Sequence, residues 1–401
     1  MTIQETPPLQ GVRVIDFATG IAGPHAGLLL AHHGADVIKV EPPEGDWSRR
    51  LGISVNEQSP FSTYYNRGKR SLALDLKHPR GRELALQLIH DADIVIESFR
   101  PGVMKRLGLD PARLREQRPE LIFLSVSGFG QEGPLAQLPA TDTVIQGYAG
   151  IMSLNRDALG TPQRFPMILV DVVSGLYAAQ AVMAAYIRKL RFGQGASIDC
   201  SLMQSALALQ APALVKHQFE RGHPTVMYVP LGVLATRDGF LSISVNRDKH
   251  FIDFCNAMER PELATDARFC HLQGRIAHEL ELMNIIRAEF VLRSTEEWCD
   301  RLQAAEILHA RIRSHDEVLA DAELVRNGGI DWIEQTAVDS ALPIPNIPGG
   351  PRATDYGQLR CAPAIGEHSL PILRALGVDD SEQRALIEKG IAATPVHGTR
   401  K

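Results

Sequence analysis

An aspartate flanked by apolar residues at the entrance to a helix can serve as a structural cap or as a nucleophile, and Asp171 has that setting in RFPMILVDVVSGLYAAQ. As a cap it would satisfy free amides of the first turn and suit the helix dipole. As a nucleophile, a partly desolvated carboxylate held near helix amides can attack an activated acyl group. A second candidate is the turn TGIAGP at 19–24, where Gly20 and Gly23 lie between a strand and a helix and main-chain amides can hold a phosphate. Glu41 then stands where dinucleotide folds keep a ribose-binding acid, but the full GxGxxG spacing is absent, so ordinary strand-to-helix packing is the plainer reading. A third set is cationic: NRGKRSLALDLK at 66–77 and ESFRPGVMKRLG at 97–108. Lys69, Arg70, Lys77, Arg100, Lys105 and Arg106 can grip phosphates and Phe99 can stack on a base, although each cation taken singly is an ordinary surface charge.

Other chemistries lack their residues. There is no GxSxG elbow, P-loop or HExxH. His32 and His33 are neighbours that point to different faces of a helix, so no metal site is expected. His25, after Pro24, reads as a capping or packing residue that can line the same cleft, and Arg164 as either a partner for a substrate carboxylate or a surface charge.

The candidates need elements to hold them. VRVIDFA at 12–18, the glycine turn, an apolar stretch to His33 and ADVIKVE ending at Glu41 make a strand, helix, strand unit. A helix near 79–91, strand DIVIES at 93–98, a helix near 110–116 and strand LIFLSVSG at 121–128 repeat it. Such alternation predicts an open α/β sheet with helices on both faces, whose loops meet at the carboxyl edge. A long helix near 172–190 follows, then strand ASIDC and SLMQSALALQAPALV, whose continuous apolar character predicts deep burial. The polar, proline-punctuated stretch at 218–230 suits a linker. LGVLATRDGFLSISV reads as a hairpin in which Asp238 and Gly239 supply the positive backbone angles. ALPIPNIPGGPRATDYG at 341–357 reads as an extended connection before a final helix pair, and the tail after Thr394 as disordered.

The 401 residues carry 42 basic and 47 acidic side chains, a net charge of -5, with 44% apolar and 22% charged residues. That profile is globular and offers no general attraction to nucleic acid or anionic lipid, so an anionic ligand must be held locally. The cysteines Cys200, Cys255, Cys270, Cys299 and Cys361 form no CxxC pair and no metal spacing, and reduced thiols are expected. The polar start MTIQETPPLQG is not a signal peptide, and no apolar run of about 20 residues for a membrane helix is read. No nucleic acid or membrane partner is expected, and the cytoplasm is the expected compartment.

Together LQGVRVIDFATGIAGPHAGLLLAHHGADVIKVEPPEGD, NRGKRSLALDLKHPRGRE, IVIESFRPGVMKRLGL, LIFLSVSGFGQEGP, ILVDVVSGLYAAQAVMAAYIRKLRFGQGASIDCSL and GEHSLPILRALG closely resemble the class III CoA transferases, from about residue 9 to 392. That family includes formyl-CoA transferase, carnitine CoA transferase and the α-methylacyl-CoA racemases. The resemblance implies an α/β fold: a Rossmann-like open parallel sheet in a large domain built from both chain ends, a smaller α+β domain, and a homodimer of interlocked subunits. The expected segments are 1–200 for the large CoA-binding domain, 201–225 for a linker, 226–335 for the small domain, 336–356 for a second linker and 357–401 for helices returning to the large domain. Asp171 holds the position of the family's catalytic aspartate. Ile21 and Ala22 fall where the first loop touches the thioester end. Leu74 and Lys77 match positions near the nucleotide, Ser98 and Phe99 a pair at the adenine, and Arg106 an arginine on phosphate, with Arg100 beside them. Thr141 and Asp142 match a loop that closes on the reacting group.

Two departures accompany the match. Pro42 replaces a CoA-binding arginine, and of a long glycine-rich loop only Gly232 remains between Val229 and Leu234. Racemases carry a histidine where this chain has Thr141, and without that second base transfer is favoured over racemisation. The expected activity moves CoA from an acyl-CoA donor to a small carboxylic or dicarboxylic acid through an aspartyl anhydride and an aspartyl-CoA thioester, with succinyl-CoA as one donor that fits. Coenzyme A then acts as substrate, and no resident cofactor or metal is expected. An acyl-CoA racemase is the alternative, and a dinucleotide-dependent oxidoreductase the more distant one.

Overall fold

Short runs of Val, Ile and Leu between glycines and acids form strands buried on both faces, the pattern of a parallel sheet covered by helices. The computed structural model describes residues 6–395 except 158, 223, 336, 337, 339 and 356–360. Strands β1 (Arg13–Asp16), β2 (Asp36–Glu41), β3 (Arg70–Leu74), β4 (Ile94–Glu97), β5 (Ile122–Ser127) and β6 (Ser197–Ser201) pair in the order β3-β2-β1-β4-β5-β6, all parallel. The late pair Ala392–Ala393 closes the β3 edge in the antiparallel sense. Helices α1 (Ala22–His32), α2 (Pro60–Tyr65), α3 (Pro79–His90), α4 (Val103–Arg106), α5 (Pro111–Gln117), α6 (Asp142–Tyr148), α7 (Leu169–Phe192) and α8 (Leu202–Leu209) follow the chain in order.

Side chains alternate across the pleat and separate two cores. Val14, Ile94, Ile96, Ile122 and Leu124 pack under α1 and α7. Ile15, Val95 and Phe123 pack on the opposite side with α3 and the final helices Ser369–Ala375 and Asp380–Glu388. The strand order reverses between β1 and β4, so the crevice outside the carboxyl ends opens between the β1 to α1 turn and the loop after β4.

The chain divides into a large unit, residues up to Ala211 together with those from Val325 onward, and a small unit, Pro212–Leu324. Both chain ends therefore build the large unit, but the boundaries differ from the expected ones. The stretch 201–225 is mainly helix: Ser201 ends β6 and at once caps α8, and a helix Ala211–Glu220 follows. The deep burial predicted for SLMQSALALQAPALV holds only in part in the single chain, where Leu202 and Ala206 are buried but Leu207, Leu209, Leu214 and Val215 are exposed. The small unit starts near 212 and ends near 324 rather than spanning 226–335. Part of 336–356 is not a connection either, because Ala341–Pro345 pairs antiparallel with Ile330–Glu334. In a two-stranded ribbon both strands are edges, which is where Pro343 and Pro345 can be tolerated. The tail beyond Pro395 lies outside the described residues.

In the small unit an antiparallel sheet of Leu231–Ala235, Phe240–Ser244 and Leu308–Arg311 is accompanied by helices around Phe254, Phe290 and Trp298, with the last two rings stacked 4.2 Å apart. The hairpin exists, but neither Asp238 nor Gly239 adopts the left-handed angles expected of them. The connection is four residues long, closed by the Thr236 amide donating to the Gly239 carbonyl, and the Asp238 carboxylate accepts from the amide and hydroxyl of Thr295. The reading of apolar runs also needs correction, because α7 is long and apolar enough by composition to cross a membrane. It packs along α1, α8 and β5, and the charge of Asp171 breaks its apolar run in the first turn.

Candidate active site around Asp171

Helix α7 begins at Leu169, and Ile168 at the cap position before it has no side chain that can satisfy the free amides. Asp142, buried at the start of α6, does so from outside. One of its oxygens accepts from the amides of Val170 (2.6 Å) and Asp171 (3.2 Å), and the other from the Gln146 side-chain amide (2.6 Å). Gln146 in turn donates to the Met167 carbonyl and accepts from the Phe165 amide, which fixes the approach to the helix. The capping role open to Asp171 is thus filled by Asp142, and Asp171 sits inside the first turn. Among the described residues no hydrogen bond reaches the Asp171 carboxylate oxygens. Burial, and after it the charge of Asp142, pushes that carboxyl up to about 7.

Helix α1 supplies the facing wall. The His25 Nδ1 lies 3.1 Å from the Val172 carbonyl, which can only accept, so this nitrogen carries the proton. Burial first, against that bond and with help from the charge of Lys69, holds the ring neutral at about 4. The ring meets Tyr65 edge-on at 5.2 Å. A Cβ at Gly175 would stand 2.6 Å from the Cβ of His25, so glycine is what lets the two helices come this close. Ile21 and Tyr65 share an apolar cluster with Ile168 and Val172, which bracket Asp171 in sequence. The Tyr65 hydroxyl is pushed up by burial, then by the charges of Tyr64 and Asp171. His25 is therefore a packing residue, and Tyr65 is a neighbour that the sequence reading missed. Its only signal was an aromatic pair ahead of NRGKR.

The remaining candidates divide by place. Ile21 and Ala22 are buried at the start of α1 beside the Asp171 cluster. Ser98, at the other lip of the crevice, accepts from the Thr19 amide (2.9 Å) and donates to the Thr19 carbonyl (3.1 Å), so it ties the two lips together. Phe99 is half-buried, and its amide donates to Glu97, a buried acid pushed up to about 7 chiefly by burial. Arg100 and Lys105 line an open cleft of about 820 Å³ with Glu97 and Arg115, while Arg106 and Lys77 are exposed. Leu74 is packed in the core, so only its main chain can meet a ligand. Thr141 is exposed and caps α6; its partner Asp142 is buried under α7. Arg164 is exposed.

Three of the candidate ligand roles are excluded, and for Glu41 the plainer structural reading holds. Lys69 is fully buried, bonded to Asp16 and to the Pro24 carbonyl, and cannot grip a phosphate. Arg70 opens β3, at the amino edge of the sheet, and pairs with Asp36 there. Glu41 is held by both arms of the Arg49 guanidinium and by the Ser71 hydroxyl, so no oxygen is left for a ribose.

A succinate–glutarate CoA-transferase of Agrobacterium fabrum is 33% identical over 386 residues, covering 92% of this chain and 96% of its own. A probable fatty acyl-CoA transferase of Mycobacterium tuberculosis is 34% identical over 322 residues, 76% of this chain and 82% of its own. The crystal structure of that protein superposes with a TM-score of 0.82 at 31% identity, covering 92% of this chain and 99% of its own. A CaiB/BaiF family protein from Brucella suis superposes at 0.81 with 31% identity, covering 93% and 100%. Residues 9–369 match CoA-transferase family III, and the chain belongs to that family of CoA-transferring enzymes.

Proposed function

We propose that this enzyme carries the acyl exchange on Asp171. The observation behind the proposal is a partly buried carboxylate at the start of a long helix whose capping duty is performed by Asp142, so that its own oxygens remain uncommitted. An Asp171 oxygen attacks the donor thioester carbonyl; the C–S bond breaks, giving an acyl-aspartyl anhydride and CoA thiolate. The thiolate attacks the aspartyl carbonyl, the donor acid leaves as carboxylate, and an aspartyl-CoA thioester remains. An acceptor carboxylate attacks that thioester, and the released thiolate takes the acyl group, restoring Asp171.

One thioester replaces another, so the exchange is nearly balanced and draws on no ATP; CoA enters and leaves as substrate, with no resident cofactor. Orientation and stabilisation of developing oxyanions supply the rate. The first-turn amides of α1, beside Ile21 and Ala22 and without a side-chain cap, suit that second task. Arg100, Lys105 and Arg106 suit the CoA phosphates, and Ser98 and Phe99 the adenine end. Small dicarboxylic acids of four or five carbons, with succinyl-CoA as donor, are the substrates favoured by the relative that exchanges succinate and glutarate. Two interlocked copies form the working molecule.

The test is to incubate the protein with succinyl-CoA and a panel of free acids, reading exchanged thioesters and a CoA adduct on the Asp171 peptide by mass spectrometry. Exchange with the adduct is expected, and Asp171→Ala should lose turnover by a factor on the order of 10³ or more while still binding CoA. An Asp171→Ala protein that exchanges at the wild-type rate refutes the assignment. Solvent deuterium entering the α-carbon without acid exchange points to racemisation instead.

A further inference from the structure

Beneath the β1 to α1 turn lies a group of buried charges that the acyl exchange does not itself use. Lys39 and Asp46, both buried, pair at 2.9 Å. Lys39 also donates to the Ala18 carbonyl at 2.6 Å, and both Asp46 oxygens accept from the Gly20 amide at 3.1 and 3.2 Å. The pair therefore closes a ring around Thr19, one partner holding the main chain before it and the other the main chain after it. The amide and carbonyl of Thr19 are taken by Ser98 from the opposite lip of the crevice. Asp16 adds a bond from the Ala18 amide. Gly20 has a φ of +80°, and a Cβ there would meet the Trp47 ring at 2.5 Å, so the turn has one backbone shape and the residue that follows Asp46 covers it.

We propose that Asp46, paired with Lys39, is a positioning residue for acyl transfer: it holds Ala18–Gly20 so that Ile21 and the start of α1 stand where the thioester must lie against Asp171. Two buried ions are a costly way to hold a loop if stability alone is at stake, since well-packed apolar residues in such places are often as stable. What the ions add is directional bonds to one carbonyl and one amide on either side of a single residue. Asp46 is also the cap of the 47–50 turn through the Ser48 amide, which is the competing, purely structural role.

The inference rests on the Asp171 reading, and the experiment separates the two. Asp46→Asn and the double change Lys39→Met with Asp46→Leu are compared with wild type in thermal midpoint, KM for acyl-CoA, kcat, and the rate at which the CoA adduct forms on Asp171. The expected result is folded protein with KM little changed and with kcat and adduct formation both lower by about 100-fold, the size of effect that misplacement of a reacting group by an ångström produces. The double variant serves where Asp46→Asn, which strands Lys39, fails to fold. A folded variant of either kind with kcat within about twofold of wild type overturns the proposal. If wild type itself forms no adduct, the Asp171 reading fails first.

Discussion

The nucleophilic role proposed for Asp171 depends on what that side chain does not bind. A carboxylate that capped its own helix would be held acidic by the amides it accepted from, and would be a poor nucleophile for that reason. Here Asp142 accepts those amides, and its negative charge adds to burial in raising Asp171 to about 7. In the proposed exchange the ionised form is the nucleophile, so kcat/KM should be flat above about pH 7 and fall toward tenfold per unit below it, read as a pH–rate profile. Asp142→Asn removes the repelling charge and should move that midpoint downward, while kcat drops because a single carbonyl oxygen replaces two acceptors. Stability has its own sign. A buried acid whose pKa is raised on folding loses stability as pH climbs from the unfolded value of about 4 to the folded value, so Asp171→Asn should gain on wild type at pH 8 and not at pH 4 in denaturant melts. The sequence showed the acid at the helix entrance, but it could not show which acid caps the helix, since Asp142 lies 29 positions away and reaches α7 only through the fold.

At the scale of elements, the site is set by how closely α1 lies on α7. The meeting point is Gly175 against His25, with the imidazole bonded to the Val172 carbonyl one residue past Asp171. In an exposed helix, glycine to alanine stabilises by about 1 kcal/mol. Here the added methyl would press on the His25 ring, so Gly175→Ala should cost about 1–3 kcal/mol instead, and a chemical-denaturation midpoint that rises would contradict this packing. Local patterns made the parallel strands readable: VRVID, DVIKVE and DIVIE carry β-branched runs between turn residues, and β1, β2 and β4 lie inside them. What misled was reading composition as connection. Proline in ALPIP is compatible with a strand when both strands are edges, and the stretch 201–225 expected as a linker holds two helices with exposed apolar side chains. Cations were misread for a related reason, because NRGKR looks uniformly exposed as sequence, yet Lys69 is buried against Asp16 and the Pro24 carbonyl and Arg70, at the start of β3, lies at the far edge.

Exposed apolar side chains matter for the molecule as a whole. In the single chain α7 exposes Leu176, Tyr177, Ile187, Leu190 and Phe192, and α8 exposes Leu207 and Leu209. The proposed dimer would use these side chains, with a second copy covering the apolar side of α7 that one chain leaves exposed. Exposed apolar side chains that gather on one helix are the kind of surface an interface covers. If two copies interlock as proposed, light scattering should give twice the mass of one chain at every concentration down to the nanomolar range, because interlocked subunits could not part without unfolding; a monomer mass would overturn the dimer. Leu190→Asp combined with Phe192→Asp, which touches nothing in the Asp171 site, should abolish that dimer and take activity with it. A double variant of wild-type mass and turnover would show that this face is not a dimer interface.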